Sequence, residues 1–313
     1  MNFIYSPLYY ADIGVHVFPI KKYQLVEQAL RQQHQIPESA FVAPTAATEE
    51  QLLQVHTRRY LDDLYHCRWT PRTLCSELPL TREIVEMFVL ACGGTILAAE
   101  LALRDGVAVH LGGGFHHAFA EKAEGFCYLN DLAVAVRAMQ APTSLNKTFN
   151  GKAGQRQNKI QKAMVIDCDL HQGNGTAKIF QPETSVFTFS IHQWELYPVK
   201  EESDLDIHLQ NGVTDAEYLH HLQTHIPKIL DEFRPELILY QAGADPYEHD
   251  QLGDLKLTLP GLAERDRRIF LWAKERKIPI AATLGGGYAR NTDDTVEIHT
   301  NTGLAAWKQW HIG

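Results

Sequence analysis

The sequence predicts an α/β domain in which a central, mostly parallel sheet is covered on both faces by helices. Three observations carry this. Short β-branched, apolar runs recur along the chain, and long helical patterns separate them. Helices between consecutive strands imply crossover connections and therefore parallel pairing. The runs are apolar almost without alternation, as expected of strands buried on both faces. The 313 residues are compatible with one large α/β domain, and no linker long enough to divide the chain is present.

The elements follow in order. Thr81–Arg104 reads as a helix, with apolar residues at Ile84, Val85, Phe88, Val89, Cys92, Ile96 and Leu97 spaced by three and four. Val107–Leu111 reads as the strand after it. The segment 141–162 breaks the pattern. It carries Lys147, Lys152, Arg156, Lys159 and Lys162 without an acidic residue, and contains Gly151 and Gly154. It is expected to be a mobile, solvated basic loop, with a docking site for an acidic partner as the alternative. Met164–Asp169 and Val186–Ile191 are the next strands. Asp215–Phe233 is predicted as a helix with Thr214 and Glu217 forming a capping box. Leu237–Ala242 is a strand. A helix from about Leu262 to Lys277 stops before Pro279, and Ile280–Leu284 is the last strand.

Composition removes several function classes. Hydrophobic residues at 45% and charged residues at 21% fit a soluble globular chain rather than a disordered one. A net charge of −9 argues against broad, sequence-independent binding to nucleic acid. No apolar run reads as long enough to span a bilayer. The first dozen residues lack a basic stretch followed by an apolar core, so no secretory signal is expected. The five cysteines are odd in number and form no C-x-x-C pair, which predicts a reducing cytoplasm rather than a disulfide framework or a cysteine zinc site.

The strand ends carry the chemistry. Gly112-Gly113-Gly114-Phe115-His116-His117 follows the first of these strands. Asp167, Asp169 and His171 close the second, with Gly173 and Gly175 beyond. His192, Gly243-Ala244-Asp245 and Gly285-Gly286-Gly287-Tyr288 follow the other three. In a parallel sheet these ends share one edge, where open α/β folds place ligands. Asp167, Asp169 and His171 alternate, so an extended strand would put them on one face. Buried there, two carboxylates and an imidazole need a cation or protons. Asp169 and His171 with Asp245 make an O,N,O ligand set that leaves positions open for water and substrate, as a catalytic zinc site does. Two carboxylates weaken the metal's pull on its water, so a separate base is needed, and His116 and His117 are the candidates.

Each feature has a plainer reading by itself. A strand-end Asp caps helices, paired histidines pack in turns, and three glycines can cradle a phosphate. No G-x-x-x-x-G-K-[ST] or G-x-G-x-x-G accompanies them, however. Taken together they point to a metal-assisted hydrolase. His220, His221 and His225 read as an exposed polar helix face rather than a second metal site.

These residues, in this order, resemble the histone deacetylase family. The resemblance runs through Leu111-Gly112-Gly113-Gly114-Phe115-His116-His117-Ala118, Gly125-Phe126-Cys127-Tyr128-Leu129-Asn130-Asp131, Asp167-Cys168-Asp169-Leu170-His171-Gln172-Gly173-Asn174-Gly175, Gly243-Ala244-Asp245 and Gly285-Gly286-Gly287-Tyr288. It covers roughly Tyr5 to Thr300, and the His-Gln-Gly-Asn-Gly variant with Tyr5-Ser6-Pro7 most resembles the class IV branch. The resemblance implies an arginase-like fold with an eight-stranded parallel sheet. It implies that Asp169, His171 and Asp245 bind zinc, with iron(II) as the alternative ion. His117 would be the main general base and then acid, and His116, paired with Asp167, an electrostatic partner. Tyr288 would donate to the oxyanion. Gly125, Phe126 and Gly286 would border the acyl-lysine substrate opposite Tyr197. A potassium ion would sit behind the zinc, near Asp167, Asp169, His171, Ser190 and Ile191.

One departure concerns the base. Much of the family has histidine at Gln172 and an acid at Asn174. Asn174 can orient the His117 ring but brings no charge, which predicts a lower pKa for His117 than an acid partner would give. The implied activity is removal of acetyl or longer acyl groups from lysine side chains of a protein or peptide. Alternatives are an amidohydrolase of acetylpolyamines or other small amides, a silent acyl-lysine binding module and an arginase-like dimetal enzyme. Glu201, Glu202, Asp204 and Asp206 read as a solvated acidic run, or else as contacts for a cationic substrate.

Overall fold

A computed structural model describes residues 1–141, 159–181 and 183–311. The chain opens with β1 (Asn2–Ile4), α1 (Lys22–Gln28), β2 (Phe41–Val42) and the short helices α2 (Glu49–Leu52) and α3 (Arg58–Tyr65). The long α4 (Arg82–Asp105) leads to β3 (Val107–His110), α5 (Asp131–Gln140), β4 (Ala163–Asp167) and α6 (Asn174–Phe180). Then come β5 (Val186–Gln193), β6 (Leu205–Leu209), α7 (Asp215–Phe233), β7 (Leu237–Gln241), α8 (Leu259–Glu275), β8 (Ile280–Thr283) and α9 (Thr292–His311). Among the described residues eight strands pair, all in parallel, in the order β2-β1-β3-β8-β7-β4-β5-β6.

The apolar strands feed two cores. In β4, Ala163 and Val165 face the core built with α4 and α5, while Met164 and Ile166 face the one built with α7, α8 and α9. β7 divides in the same way, with Leu237 and Leu239 on one side and Ile238 and Tyr240 on the other. This is the burial on both faces that continuous apolar strands require.

Helix ends show where local chemistry overrode the sequence signals. Thr81 caps α4 by accepting the Ile84 N–H at 3.3 Å. α7 has its predicted bounds, but the Thr214 side chain makes no capping bond. Its backbone is drawn into a bridge with Lys256 instead. The Asp215 carboxylate accepts the Thr258 N–H at 2.9 Å and its hydroxyl at 2.6 Å, tying the start of α7 to the start of α8. α8 begins at Leu259, earlier than predicted, with Pro260 inside its first turn. Proline is compatible there because that turn's N–H groups have no intrahelical partner.

α4 corrects another expectation. By length and composition it is apolar enough to cross a membrane, although 78% of the relevant stretch is buried within the domain. A helix packed on most sides loses the polar face that a surface helix keeps. Of the basic segment, residues 142–158 lie outside the described residues. Lys162, at its end, donates to the Phe233 carbonyl at 3.2 Å.

Candidate active site

The five strands whose ends carry the motifs are β3, β8, β7, β4 and β5, and they are consecutive in the sheet. Their loops therefore converge at one edge. β4 stops at Asp167, so Asp169 and His171 lie in the bend between β4 and α6 and do not share a strand face as predicted. Carboxylates fold this bend. Asp167 Oδ1 accepts the Asp169 N–H at 3.1 Å, Asp169 Oδ1 accepts the His171 N–H at 3.0 Å, and Asp245 Oδ1 accepts the Leu170 N–H at 3.0 Å.

The bend brings His171 Nδ1 to 3.2 Å from Asp169 Oδ1 and 3.3 Å from Asp245 Oδ2. One ligand atom from each of these three buried residues lies within 4.8 Å of the others. Asp169 Oδ2 also accepts from Gln241 Nε2 at 2.7 Å and from the Gly286 N–H at 3.0 Å. Position 286 must be glycine, because a Cβ there would fall on both the Asp245 and Asp169 carboxylates. Burial, and then the neighbouring Asp169, push Asp245 up to about 7. Burial works to lower His171, but its bonds to Asp169 and Asp245 prevail and raise it to about 10. The imidazole proton thus sits where a dication would neutralise the carboxylates and take the ring nitrogen. The donor set, its burial and its spacing fit a divalent cation of the zinc type.

His116 and His117 lie beside this set, their rings 4.1 Å apart. His116 Nδ1 donates to Asp167 Oδ2 at 2.6 Å. Burial opposes a charge on His116, but Asp167 and Asp169 overcome it and raise the ring to about 9. His117 Nδ1 donates to Asn174 Oδ1 at 2.9 Å, which leaves Nε2 as the acceptor. Burial first, then the charges of His116 and His171, hold His117 well below the ordinary histidine value.

Asn174 does not end this chain. Its Nδ2 donates to Glu124 Oε1 at 2.8 Å, and Glu124 Oε2 meets Lys122 Nζ at 2.5 Å. Asn174 itself brings no charge to His117, as its sequence identity implies. A carboxylate is present one residue further out, joined through the asparagine amide.

Tyr288 is buried at the same edge, with its N–H donating to Asp250 Oδ2 at 2.7 Å. Burial, then Asp245 and Asp169, raise its hydroxyl far above the usual tyrosine value, so it stays protonated as a donor. A cavity joins Tyr288, both histidines, Asp169, His171 and Gly286 to Gly125 and Phe126. Phe126 is held at a φ of 61°, uncommon for a non-glycine residue, and its N–H donates to the Ser76 carbonyl at 2.9 Å. At Gly125, φ is 52° and a Cβ would run into the His117 ring and the Tyr197 hydroxyl. The Tyr197 ring lies 5.5 Å from that of His117 and is 43% exposed, at the mouth opposite Gly125.

A family model described as the histone deacetylase domain matches residues 16–302. The chain belongs to the histone deacetylase family. It is 36% identical over 300 residues to an uncharacterized protein of Picosynechococcus sp., covering 95% of each chain. It is 30% identical over 325 residues to Histone deacetylase 2 of Arabidopsis thaliana, covering 97% of this chain and 80% of that one. To Histone deacetylase 8 of Xenopus tropicalis it is 26% identical over 277 residues, covering 81% and 69%. The family is one of typically metal-dependent deacetylase hydrolases, and the eight-stranded parallel sheet agrees with its arginase-like fold.

Other predicted positions of this family member distribute as follows. Ser190 stands in register with Asp167 across β4 and β5, and its hydroxyl is 2.9 Å from His192 Nδ1. Ile191 is buried beside it. His221 and His225 stack on α7, outside the site. The acidic run is largely bonded to protein rather than free. Asp204 Oδ2 accepts from the Thr188 N–H and hydroxyl, and Asp206 Oδ1 accepts from Gln172 Nε2.

Two residues of this edge had no sequence signal, Glu124 and Lys22. Lys22 is fully buried, donates to the Gly285 carbonyl at 2.6 Å and lies over the Tyr288 ring at 5.8 Å. Burial lowers its pKa to about 8, against the pull of Asp245, Asp169 and Asp250. In the sequence, Lys21-Lys22 looks like an ordinary surface pair.

Proposed function

We propose that this chain is a zinc-dependent deacylase of the class IV type that removes acetyl or longer acyl groups from lysine side chains of a protein or peptide. One observation carries the reading. Asp169 and His171 of the three-residue cation site line a single cavity with His116, His117 and the Tyr288 donor. Zinc held by Asp169, His171 and Asp245 would supply Lewis-acid polarisation of the amide carbonyl and orientation of the attacking water.

The chain's own residues do the rest. His117 Nε2 takes the proton of the water as its oxygen bonds to the carbonyl carbon. The Tyr288 hydroxyl donates to the developing oxyanion, a contribution of about 3 kcal/mol for such a donor. The charge on His116, held by Asp167, stabilises the same negative charge from the side. When the C–N bond breaks, His117 returns its proton to the leaving amine. Gly125, Phe126 and Tyr197 would hold the acyl-lysine stem at the mouth. We further infer a structural potassium ion near Asp167, Asp169, His171, Ser190 and Ile191, and a cytoplasmic location suited to five unpaired cysteines.

A second reading, hydrolysis of acetylpolyamines, draws on two acids near the mouth. Glu124 and Glu77 both lie close enough to Tyr197 to help burial raise its pKa. The test is turnover by the zinc-loaded protein on acetyl-lysine peptides, long-chain acyl-lysine peptides and acetylpolyamines, beside Tyr288→Phe. The expected result is lysine deacylation that falls about 100–1,000-fold in Tyr288→Phe. Preference for acetylpolyamines would replace the substrate class. No turnover on any of them, with zinc bound stoichiometrically, would favour an acyl-lysine binding module.

A further inference from the structure

On the far side of the ligand loops from the cavity, α8 buries a complete ion pair. Arg265 and Asp266 have side chains that are 0% exposed, and Arg265 Nε donates to Asp266 Oδ1 at 2.8 Å. The Tyr240 hydroxyl donates to Asp266 Oδ1 and the Thr302 hydroxyl to Asp266 Oδ2, each at 2.5 Å. The acid is thus fixed by β7 and α9, and it fixes the arginine.

The arginine is aimed at two backbone carbonyls. Nη1 donates to the Gly243 carbonyl at 2.6 Å and to the Cys168 carbonyl at 3.2 Å. Cys168 immediately precedes Asp169, and Gly243 lies two residues before Asp245. The last registered pair of the β4–β7 ladder is Asp167 with Gln241. One backbone bond lies beyond it, from the Cys168 N–H to the Gln241 carbonyl at 3.0 Å, and on the cavity side Asp245 Oδ1 and Gln241 Nε2 join the loops through Leu170 and Asp169. From behind, one guanidinium nitrogen bridges the same two loops, and Tyr218 adds a hydroxyl bond to the Cys168 carbonyl at 3.3 Å.

Core stability alone is a poor reason for this arrangement. A buried ion pair is often matched or bettered in stability by apolar residues of similar volume. Arg265 Nη2 has no hydrogen-bond partner among the described residues, which adds to the burial cost. Apolar replacements would fill the space but leave the two carbonyls without this link.

We infer that Arg265 is a positioning residue that clamps the two ligand-bearing loops, so that Asp169 and Asp245 meet the cation at a fixed separation. The inference rests on the reading of Asp169, His171 and Asp245 as the metal site. Outer residues that orient ligands tune metal affinity, with losses of about 10–100-fold when they are removed.

The test is zinc affinity of the full chain, by competition with a chelating dye, with thermal unfolding of the metal-free protein measured in parallel. The proteins are wild type, Arg265→Met, Arg265→Lys and Ile226→Val, the last a control in the same core far from the loops. Arg265→Met should bind zinc about 10–100-fold more weakly than wild type. Arg265→Lys, with charge but no fork, should fall between them. Ile226→Val should lower the Tm and leave zinc affinity unchanged. Wild-type affinity in Arg265→Met, or in Arg265→Lys should the Met variant fail to fold, would overturn the clamp. A wild-type protein that binds no zinc would overturn the metal reading, and the clamp with it.

Discussion

His116 leans on a carboxylate, and His117 leans on an amide. Both are buried and adjacent, and both donate from Nδ1, at 2.6 Å to Asp167 and at 2.9 Å to Asn174. Their protonation nevertheless diverges. His116 is raised to about 9, whereas His117 is held well below the ordinary value. The difference lies in the partner one bond away. A direct anion stabilises an imidazolium, while an amide orients the ring and leaves burial to favour the neutral form. One dipeptide therefore supplies a fixed positive charge and a ready base at neutral pH.

Three changes test this division, in order of expected effect. Asp167→Asn removes the anion that keeps His116 protonated. Deacylation kcat/KM should fall about 10–100-fold, as for other residues that act through a catalytic neighbour. The alkaline limb of the pH–rate profile should also move down, because His116 would lose its proton earlier. An unmoved limb would remove His116 from the mechanism.

Glu124→Gln leaves Asn174 in place but removes the charge behind it. The expected loss is about 3–10-fold in kcat/KM, the kinetic equivalent of one hydrogen bond of about 1 kcal/mol. A loss as large as that of Asp167→Asn would mean that His117 depends on the outer carboxylate far more than this comparison allows.

Asn174→Asp makes the two halves alike. A carboxylate beside His117 raises its pKa by about one unit or more. The base is then protonated at higher pH, so the acidic limb of the profile moves upward while the plateau rate changes little. An acidic limb identical to wild type would show that His117 does not set it.

How much of this was legible from the sequence follows the range of each signal. The five central strands announced themselves because each is buried on both faces and followed by glycines and polar residues. β1, β2 and β6 did not, since β1 and β2 have three and two residues and β6 alternates with exposed positions at the sheet edge. Asp169, His171 and Asp245 were legible as a set through motif spacing. What brings them together is the bend after Asp167 and not a shared strand face, and alternation in the sequence does not show such a bend. Glu124, Lys22 and Arg265 carried no signal, because each acts on a loop remote in sequence. Arg265, for example, bonds to a carbonyl 97 positions away. Only the packing of α8 behind β4 and β7 shows what a charged residue on an amphipathic helix is for.

In the proposed lysine deacylase, His117 works as the neutral base and His116 as the held cation. Turnover of an acetyl-lysine peptide by His117→Ala and His116→Ala, side by side with wild type and equally loaded with zinc, separates the two roles. The expected result is a loss of about 100–10,000-fold for His117→Ala, the range for a removed general base, and a clearly smaller loss for His116→Ala. Equal losses, or a larger one for His116→Ala, would contradict the division of labour between the two histidines.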